Sequence, residues 1–264
     1  MRHFITVIIC FWVLISGCSP SERGSEPLRI LSLSAAATGI LYDLGVPPVA
    51  IDEYGLIAVK DSSSAVIGKG SLVSREKIVE LNINCVILWE YQKSLASDLR
   101  KRGIQIIPLS PFRLRDYPLL VKQLGDLTGK HVESEQMIAA FQQKMSAFSD
   151  TGKKIPVYFE LYGSFQSAGE ESYIGDLLSC SGGVPLTRKT GIISAEKVLK
   201  SDPAVIFYVD NAGSLSEIRK RPGFSRLSAV KNNRIYAIPR RLITEGIAPD
   251  EAISLLRKYI LTEK

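Results

Sequence analysis

Between residues 28 and 110, the hydrophobic positions follow two alternating patterns. Short runs of Ile, Val and Leu are typical of strands buried on both faces, and the stretches between them repeat apolar residues every three or four positions, as helices do. The predicted strands are Arg29–Ser34, Val49–Asp52, Cys85–Trp89 and Ile104–Pro108. The predicted helices are Ala35–Leu44, Ser74–Leu81 and Ser94–Arg102. Strands that alternate with helices over short connections predict a parallel, doubly wound α/β sheet of Rossmann type.

The pattern changes near residue 116, where two helices follow each other without a strand between them. They are Tyr117–Leu127 and the longer, amphipathic Val132–Phe148. After residue 150 the alternation resumes, with strands predicted at Pro156–Leu161, Ala204–Val209 and Arg234–Ile238. Helices of this part are predicted at Tyr173–Cys180, Ser194–Lys200, Ser214–Arg219 and Pro249–Ile260.

The sequence therefore predicts an N-terminal α/β lobe (28–115), linking helices (116–150) and a C-terminal α/β lobe (151–264). The two Rossmann-like lobes are joined by a single long α-helix, and a ligand cleft lies between them. Because a helix bends less than extended strands do, we expect the lobes to close only slightly.

The N-terminus carries the pattern of an export signal. A basic start, Met1–His3, precedes the apolar run Phe4–Ile15, which is too short to span a bilayer as a stable helix. The run ends in Ile15-Ser16-Gly17-Cys18, which resembles the bacterial lipoprotein box. We therefore predict a signal peptide (1–17), lipid attachment at Cys18 and a polar tether (18–27). An ordinary signal peptide with an incidental cysteine is the alternative. Lipid chains would anchor the exported protein to the cell envelope, in the periplasm or at the outer face of the cytoplasmic membrane.

Charge and cysteine content narrow the choice of partners. The net charge of +6 is spread along the chain without a basic cluster, so the sequence does not predict a nucleic-acid partner. Beyond Cys18, only Cys85 and Cys180 remain, and the predicted boundaries place them in different lobes. We therefore expect two free, buried thiols and no disulfide.

Several short motifs between Leu28 and Ile260 resemble one protein family in their order and spacing. They are Arg29–Ser34, Ser74–Ile78, Leu124-Gly125, Thr128–Lys130, Ala168-Gly169, Ser172–Leu178, Gly182-Gly183, Ser194–Val198, Asp202-Pro203 and Phe224 with Leu227 and Ala229–Asn232. The family is that of the substrate-binding proteins of bacterial ABC importers for cobalamin, haem and iron siderophores, of the type with a helical backbone between the lobes. The resemblance implies a monomer without a resident cofactor. It also implies that the protein captures a small-molecule metal chelate and hands it to a permease dimer with its ATPase.

Ligands of doubly wound sheets bind beyond the carboxyl ends of the strands, and this rule selects candidate cleft residues. They are Ser34, Tyr54, Trp89, Tyr91, Arg113, Phe165, Tyr173, Arg240 and Arg241. Aromatic faces suit flat ligands such as corrin or porphyrin, and arginines suit carboxylates or phosphate. Packing in the core is the alternative for the aromatic residues, and a solvated rim is the alternative for the arginines.

Glu76 and Glu196 occur in matching phrases, Ser74–Ile78 and Ser194–Val198, each at the predicted start of a helix in its lobe. The resemblance implies that these glutamates dock onto arginines of the two importer subunits. A role in stabilising the helix N-terminus is the alternative.

The sequence gives little support for catalysis. It has no nucleophile elbow, metalloprotease helix, Cys-x-x-Cys pair or P-loop, and no histidine follows a predicted strand. We predict no catalytic residue and no protein-built metal site, and we favour a cobalamin-like corrinoid or a ferric siderophore as ligand. Three alternatives remain: a haem-binding protein that ligates iron through Tyr54, a lipid-anchored hydrolase that uses strand-end carboxylates, and a lipoprotein that holds an envelope partner without a ligand.

Overall fold

The computed structural model describes residues 27–59, 61–148, 152–210 and 214–262. The predicted signal peptide, Cys18 and most of the tether lie outside these ranges. Within them, no helix is long and apolar enough to cross a membrane.

The N-terminal lobe is built on a five-stranded, fully parallel sheet in the order β3-β2-β1-β6-β7. The strands of this lobe are β1 (Ile30–Ser32), β2 (Ala50–Ile51), β3 (Ala65–Val66), β4 (Gly68–Lys69), β5 (Leu72–Val73), β6 (Cys85–Trp89) and β7 (Gln105–Leu109). Its helices are α1 (Ala35–Asp43), α2 (Arg75–Glu80) and α3 (Lys93–Lys101). The two strands outside the main sheet, β4 and β5, form an antiparallel ribbon. The four predicted strands are all present, whereas the short β3, β4 and β5 were not predicted.

Two helices connect the lobes, α4 (Tyr117–Thr128) and α5 (His131–Ser146). They pack closely because Gly125 leaves room for Ser134, whose Cβ would lie 2.5 Å from a Cβ added at Gly125. Phe141 of α5 packs against the cores of both lobes. The long helix α5 therefore packs against both lobes.

The C-terminal lobe has a six-stranded sheet in which β10, β8, β12 and β13 are parallel neighbours. The antiparallel β9 continues beside the end of β8, and β11 pairs with β9. The strands are β8 (Ile155–Glu160), β9 (Gln166–Ser167), β10 (Gly183–Pro185), β11 (Gly191–Ile192), β12 (Val205–Val209) and β13 (Ile235–Ile238). The helices are α6 (Tyr173–Cys180), α7 (Ala195–Ser201), α8 (Leu215–Lys220), α9 (Ser228–Lys231), α10 (Arg240–Ile243) and α11 (Pro249–Leu261). Two separate α/β sheets confirm the expected two-lobed fold.

The two cysteines of the described residues, Cys85 and Cys180, are free, as expected from their positions in different lobes. Cys85 lies within β6 and is fully buried, and burial raises the pKa of its thiol to about 11. Cys180 is only half-buried because it is the last residue of α6, so the expectation that both thiols are buried was wrong for this residue.

Candidate ligand-binding cleft

A cleft of about 540 Å³ lies between the lobes, and both lobes contribute to its walls. Leu33 follows β1, Trp89 ends β6 and Leu161 follows β8, so the cleft opens at the carboxyl ends of parallel strands. Its volume falls within the range of about 300–1,000 Å³ that is typical of small-molecule sites.

The N-terminal lobe presents an aromatic wall. The rings of Trp89 and Tyr91 are nearly parallel, with 6.2 Å between their centroids and 6° between their planes. The backbone N–H of Trp89 donates to Gln92 Oε1 (2.8 Å), and Gln92 Nε2 donates to Ser71 Oγ (3.0 Å). These bonds fix the turn after β6 and hold the indole at the cleft.

Tyr54 is placed by a buried carboxylate beneath it. Asp52, which is fully buried, accepts the backbone N–H groups of Gly55 (3.0 Å) and Gly70 (2.9 Å). Burial raises the pKa of Asp52. The carboxyl group thus ties together both ends of the loop whose first turn carries Tyr54 into the cleft.

Arg240, from the C-terminal lobe, reaches between tyrosines of both lobes. Its guanidinium carbon lies 5.3 Å from the centroid of the Tyr54 ring and 5.1 Å from that of the Tyr162 ring. Contacts of this geometry between a cation and an aromatic face are attractive. The backbone N–H of Arg240 donates to Asp210 Oδ1 (2.9 Å), which orients the start of α10. The three side chains therefore form a bridge across the cleft.

Two further polar groups lie at the cleft wall formed by the C-terminal lobe. Glu245 follows α10, and burial raises the pKa of its carboxyl group. Tyr173, which is 4% exposed, also lines this wall. Among the described residues, the cleft therefore combines five aromatic rings (Tyr54, Trp89, Tyr91, Tyr162 and Tyr173) with one cation and one carboxyl group.

Five of the nine candidates line this cleft: Tyr54, Trp89, Tyr91, Tyr173 and Arg240. Ser34 does not, because it is buried as the N-cap of α1, where its Oγ accepts the backbone N–H of Ala37 (3.3 Å). Arg241 does not, because it points into a separate cavity of about 400 Å³ beside α5 and pairs with Glu251 (2.9 Å).

Arg113 joins the lobes next to the cleft instead of lining it. Its guanidinium forms a two-pronged ion pair with Asp176 of α6 and donates to the backbone carbonyl of Glu170 (3.0 Å). Asp176 also accepts the backbone N–H of Leu114 (2.9 Å). Arg113 therefore joins the two lobes through its ion pair with Asp176.

Phe165 packs inside the C-terminal lobe. Its backbone has a positive φ of 62°, which turns the ring towards Arg221, whose guanidinium carbon lies 4.6 Å from the ring centroid. The rule of strand ends selected the loop after β8, but in that loop Tyr162 lines the cleft and Phe165 does not.

Sequence reasoning also missed Glu245 and Gln92. Glu245 lies between two helices and follows no strand, so the rule of strand ends could not select it. Gln92 is three residues beyond Trp89, and nothing in its spacing distinguishes it from a surface glutamine.

The matching phrases at Glu76 and Glu196 have the same local structure. Ser74 and Ser194 are N-caps whose Oγ atoms accept the backbone N–H of Lys77 and Lys197, respectively, at 3.1 Å in both cases. Both glutamates are exposed, and neither forms an ion pair with another described residue. The serine side chains satisfy the helix ends, so both carboxylates point freely to solvent.

The described residues contain no group of three or more His, Cys, Asp or Glu that could hold a metal ion. His131 lies at the start of α5, away from the cleft, next to Asp126 (3.1 Å between Nδ1 and Oδ1).

Two α/β lobes, a helical connection and a ligand-sized cleft between the lobes define a substrate-binding protein. The model of the periplasmic binding protein family matches residues 30–242, and the chain belongs to this family. It is a substrate-binding component of the ABC-transporter class and not an enzyme, so the hydrolase alternative was wrong.

The comparisons with individual proteins agree in fold. An uncharacterised ABC transporter substrate-binding lipoprotein, YvrC of Bacillus subtilis, is 22% identical over 242 residues, which cover 84% of this chain and 76% of YvrC. The haem-binding protein RhuT of Roseiflexus has a TM-score of 0.78 at 22% identity, covering 88% of this chain and 97% of RhuT. The vitamin B12-binding protein BtuF of Vibrio cholerae has a TM-score of 0.72 at 21% identity, covering 88% of this chain and 96% of BtuF. The resemblance stated from sequence motifs is therefore confirmed.

Proposed function

We propose that this protein is the lipid-anchored substrate-binding component of an ABC importer and captures a bulky metal chelate, either a cobalamin-like corrinoid or a ferric siderophore. It acts as a monomer at the outer side of the cytoplasmic membrane or in the periplasm. It delivers its ligand to a permease dimer with an associated ATPase. Cys18, outside the described residues, carries the lipid.

The aromatic character of the cleft is the observation that supports this ligand class most directly. Trp89 and Tyr91 present flat faces from one lobe, and Tyr162 and Tyr173 approach from the other. Side chains of this kind bury large areas against planar or bulky apolar ligands. Tyr91 and Tyr162 are 67% and 51% exposed, so much of this aromatic surface is open to a ligand.

The charged groups of the cleft suit the polar edge of such a chelate. Arg240 can exchange one of its tyrosine contacts for a carboxylate or phosphate of the ligand. Glu245, with its raised pKa, can donate a hydrogen bond when protonated or accept one when ionised.

Trp89 offers a direct test, because it is the only tryptophan after the predicted signal peptide. We expect cyanocobalamin or a ferric siderophore to quench the fluorescence of the purified mature protein in a saturable titration, with calorimetry giving the same Kd. Loss of the calorimetric signal in Tyr54→Ala, with Arg241→Ala as the control for a residue outside the cleft, would locate the site. If cyanocobalamin, haemin and ferric siderophores all give neither binding heat nor fluorescence quenching, the proposed ligand class is contradicted.

Haem is the second candidate, because the phenols of Tyr54 and Tyr91 lie in the cleft and a tyrosinate can ligate haem iron. A haem protein of this type would show a shifted Soret band with haemin. Replacement of the ligating tyrosine by phenylalanine would return the spectrum to that of free haemin, whereas corrinoid or siderophore binding would survive the loss of one phenol oxygen.

The docking role of Glu76 and Glu196 is part of the same proposal. Free, exposed carboxylates on both lobes can pair with basic residues of two equivalent membrane subunits, and such pairs set the register of association. We expect Glu76→Gln with Glu196→Gln to weaken binding to the permease–ATPase complex and to leave ligand affinity unchanged. Lost ligand binding in this variant would assign both residues to the ligand site instead.

Lipid attachment is tested by mass spectrometry of protein extracted from membranes. We expect the N-terminal peptide to start at Cys18 and to carry a diacylglycerol mass, which Cys18→Ser abolishes. An unmodified Cys18 in a correctly processed chain would contradict the anchor.

A further inference from the structure

The likeness between the two docking phrases extends beyond their serines and glutamates. Leu72 precedes Ser74 by two residues, and Ile192 precedes Ser194 by two residues. Both side chains are strongly exposed, Leu72 by 85% and Ile192 by 76%. The two lobes thus place an exposed aliphatic side chain at the same position relative to each docking glutamate.

Strand geometry explains why these side chains point outwards. Leu72 belongs to β5 and Ile192 to β11, two-residue strands that each pair with a single antiparallel neighbour. The following residues point inwards, because Val73 is buried and Ile193 packs against the core of its lobe. Successive side chains of a strand alternate between its faces, so the outward position in either lobe could carry a polar residue without loss of packing.

Along the chain, these two positions also fall between residues that line the cleft and the docking glutamates. Ser71 and Thr190, one and two residues earlier in the chain, line the cleft. Ser71 accepts a hydrogen bond from Gln92, which in turn accepts the backbone N–H of Trp89. A partner that grips Leu72 therefore contacts a segment linked to the aromatic wall.

We propose that Leu72 and Ile192 are docking residues that insert into apolar recesses of the two permease subunits, beside the basic residues that receive Glu76 and Glu196. This inference rests on the proposed function. The occupant follows from charge and from repetition: each aliphatic side chain accompanies a free carboxylate, and the same combination appears once on each lobe. Two equivalent copies of one membrane subunit match such a surface, because they present the same basic and apolar site twice.

The test measures the affinity of the mature protein for its cognate permease–ATPase complex in lipid nanodiscs, with binding to empty nanodiscs subtracted. We expect Leu72→Thr with Ile192→Thr to raise Kd about 100-fold, roughly tenfold for each aliphatic side chain that is no longer buried. Ligand affinity in the absence of the complex stays within about twofold, and Tm stays the same because neither side chain packs in the core.

A matched control uses exposed aliphatic residues elsewhere. Leu119 of α4 and Val132 of α5 are 68% and 64% exposed. We expect Leu119→Gln with Val132→Thr to leave the affinity for the complex unchanged. The inference would be overturned if the control and the test variant lost affinity for the complex equally, or if the test variant lost none.

Other occupants give distinct outcomes. If the wild-type protein binds empty nanodiscs and the test variant does not, the two residues contact lipid. If the wild-type protein sediments as a dimer and the test variant as a monomer, the residues contact a second copy of the chain. Either result overturns the inference. If wild-type protein fails to bind the complex at all, the proposed function itself fails. If Glu76→Gln with Glu196→Gln weakens binding and the aliphatic variant does not, only this inference fails.

Discussion

Glu160, at the end of β8, is the centre of a buried polar network that positions the loop leading into the cleft. Its carboxylate accepts hydrogen bonds from both terminal guanidinium nitrogens of Arg221, at 2.6 Å from Nη1 to Oε2 and 2.8 Å from Nη2 to Oε1. The hydroxyl of Tyr158 (2.5 Å) and the backbone N–H of Phe165 (2.9 Å) also donate to Oε2. The Glu160 and Arg221 side chains are only 4% and 13% exposed.

Replacement of Glu160 by glutamine removes one partner of this buried ion pair and leaves the charge of Arg221 uncompensated. Such losses cost about 3–5 kcal/mol of stability. In a domain of this size about 1 kcal/mol shifts Tm by roughly 2–4 °C, so we expect Tm to fall by roughly 6–20 °C at neutral pH. The exposed pair of Glu171 with Arg188 (2.7 Å), whose side chains are 39% and 80% exposed, supplies the control. Glu171→Gln should change stability by less than about 1 kcal/mol.

The difference between wild type and Glu160→Gln should also depend on pH. Burial alone would raise the pKa of Glu160, but the hydrogen bonds from Arg221, Tyr158 and Phe165 outweigh it and hold that pKa below its ordinary value. A carboxyl group whose pKa is depressed in the folded state stabilises fully above its unfolded pKa of about 4.3 and loses this contribution as pH falls through the folded pKa. Thermal unfolding followed by circular dichroism should therefore show a Tm difference between wild type and Glu160→Gln that is constant above about pH 5 and shrinks in more acid solution.

Two results would refute this reasoning. One is a fall in Tm in Glu160→Gln that is no larger than in Glu171→Gln. The other is a Tm difference between wild type and Glu160→Gln that grows as pH falls. A double variant, Glu160→Gln with Arg221→Met, separates the causes, because removal of both charges should recover part of the lost stability. The loss would then come from the unpaired arginine and not from altered packing.

Three further predictions follow from individual contacts. Burial raises the pKa of Glu245, so its ionised form opposes folding, and Glu245→Gln should raise Tm at pH 7 more than at pH 4; equal shifts at both values would contradict this. Loss of the ion pair with Asp176 in Arg113→Met should lower the free energy of unfolding by about 1–3 kcal/mol and broaden the distribution of lobe orientations in X-ray scattering. Asp176→Asn should have the same effect. The double variant should be little less stable than either single variant. Cys180 should react with a thiol reagent in the native protein before Cys85, which needs global unfolding, and simultaneous labelling would show that the N-terminal lobe opens separately.

The sequence predicted the long elements of the fold because their periodicity is strong. Runs such as 85–89 and 205–209 are apolar on both faces, as buried parallel strands must be, and α3 and α11 carry clear amphipathic repeats. Strands β3, β4 and β5 were missed because two residues are too few to show any period, and the equally short β2 was predicted only as part of the longer run 49–52. Their positions depend on pairing partners elsewhere in the chain, such as the main-chain bonds from Ala65 to Val49 and from Ile67 to Ile51.

The site was predictable as a set of loops but only partly as a set of side chains. The rule of strand ends selects where the chain turns, and the turns that it selected include those that carry Tyr54, Trp89 and Arg240 to the cleft wall. It cannot give the direction of a side chain within a turn, which at Phe165 depends on a positive φ and on a carboxylate in the neighbouring strand. Arg113 was misassigned for a related reason, because its partner Asp176 is 63 positions away in the other lobe.

Three contacts tie the lobes together and limit how far they can move relative to each other. Phe141 of α5 packs in both cores, Arg113 pairs with Asp176, and Arg240 lies between a tyrosine of each lobe. A large closing motion would have to break all three, so we expect nearly the same cleft walls before and after ligand binding. Faster release during transport would then need a partner that acts on both lobes at once, as the proposed permease dimer does. The free carboxylates of Glu76 and Glu196, one on each lobe, are suited to bind such a partner.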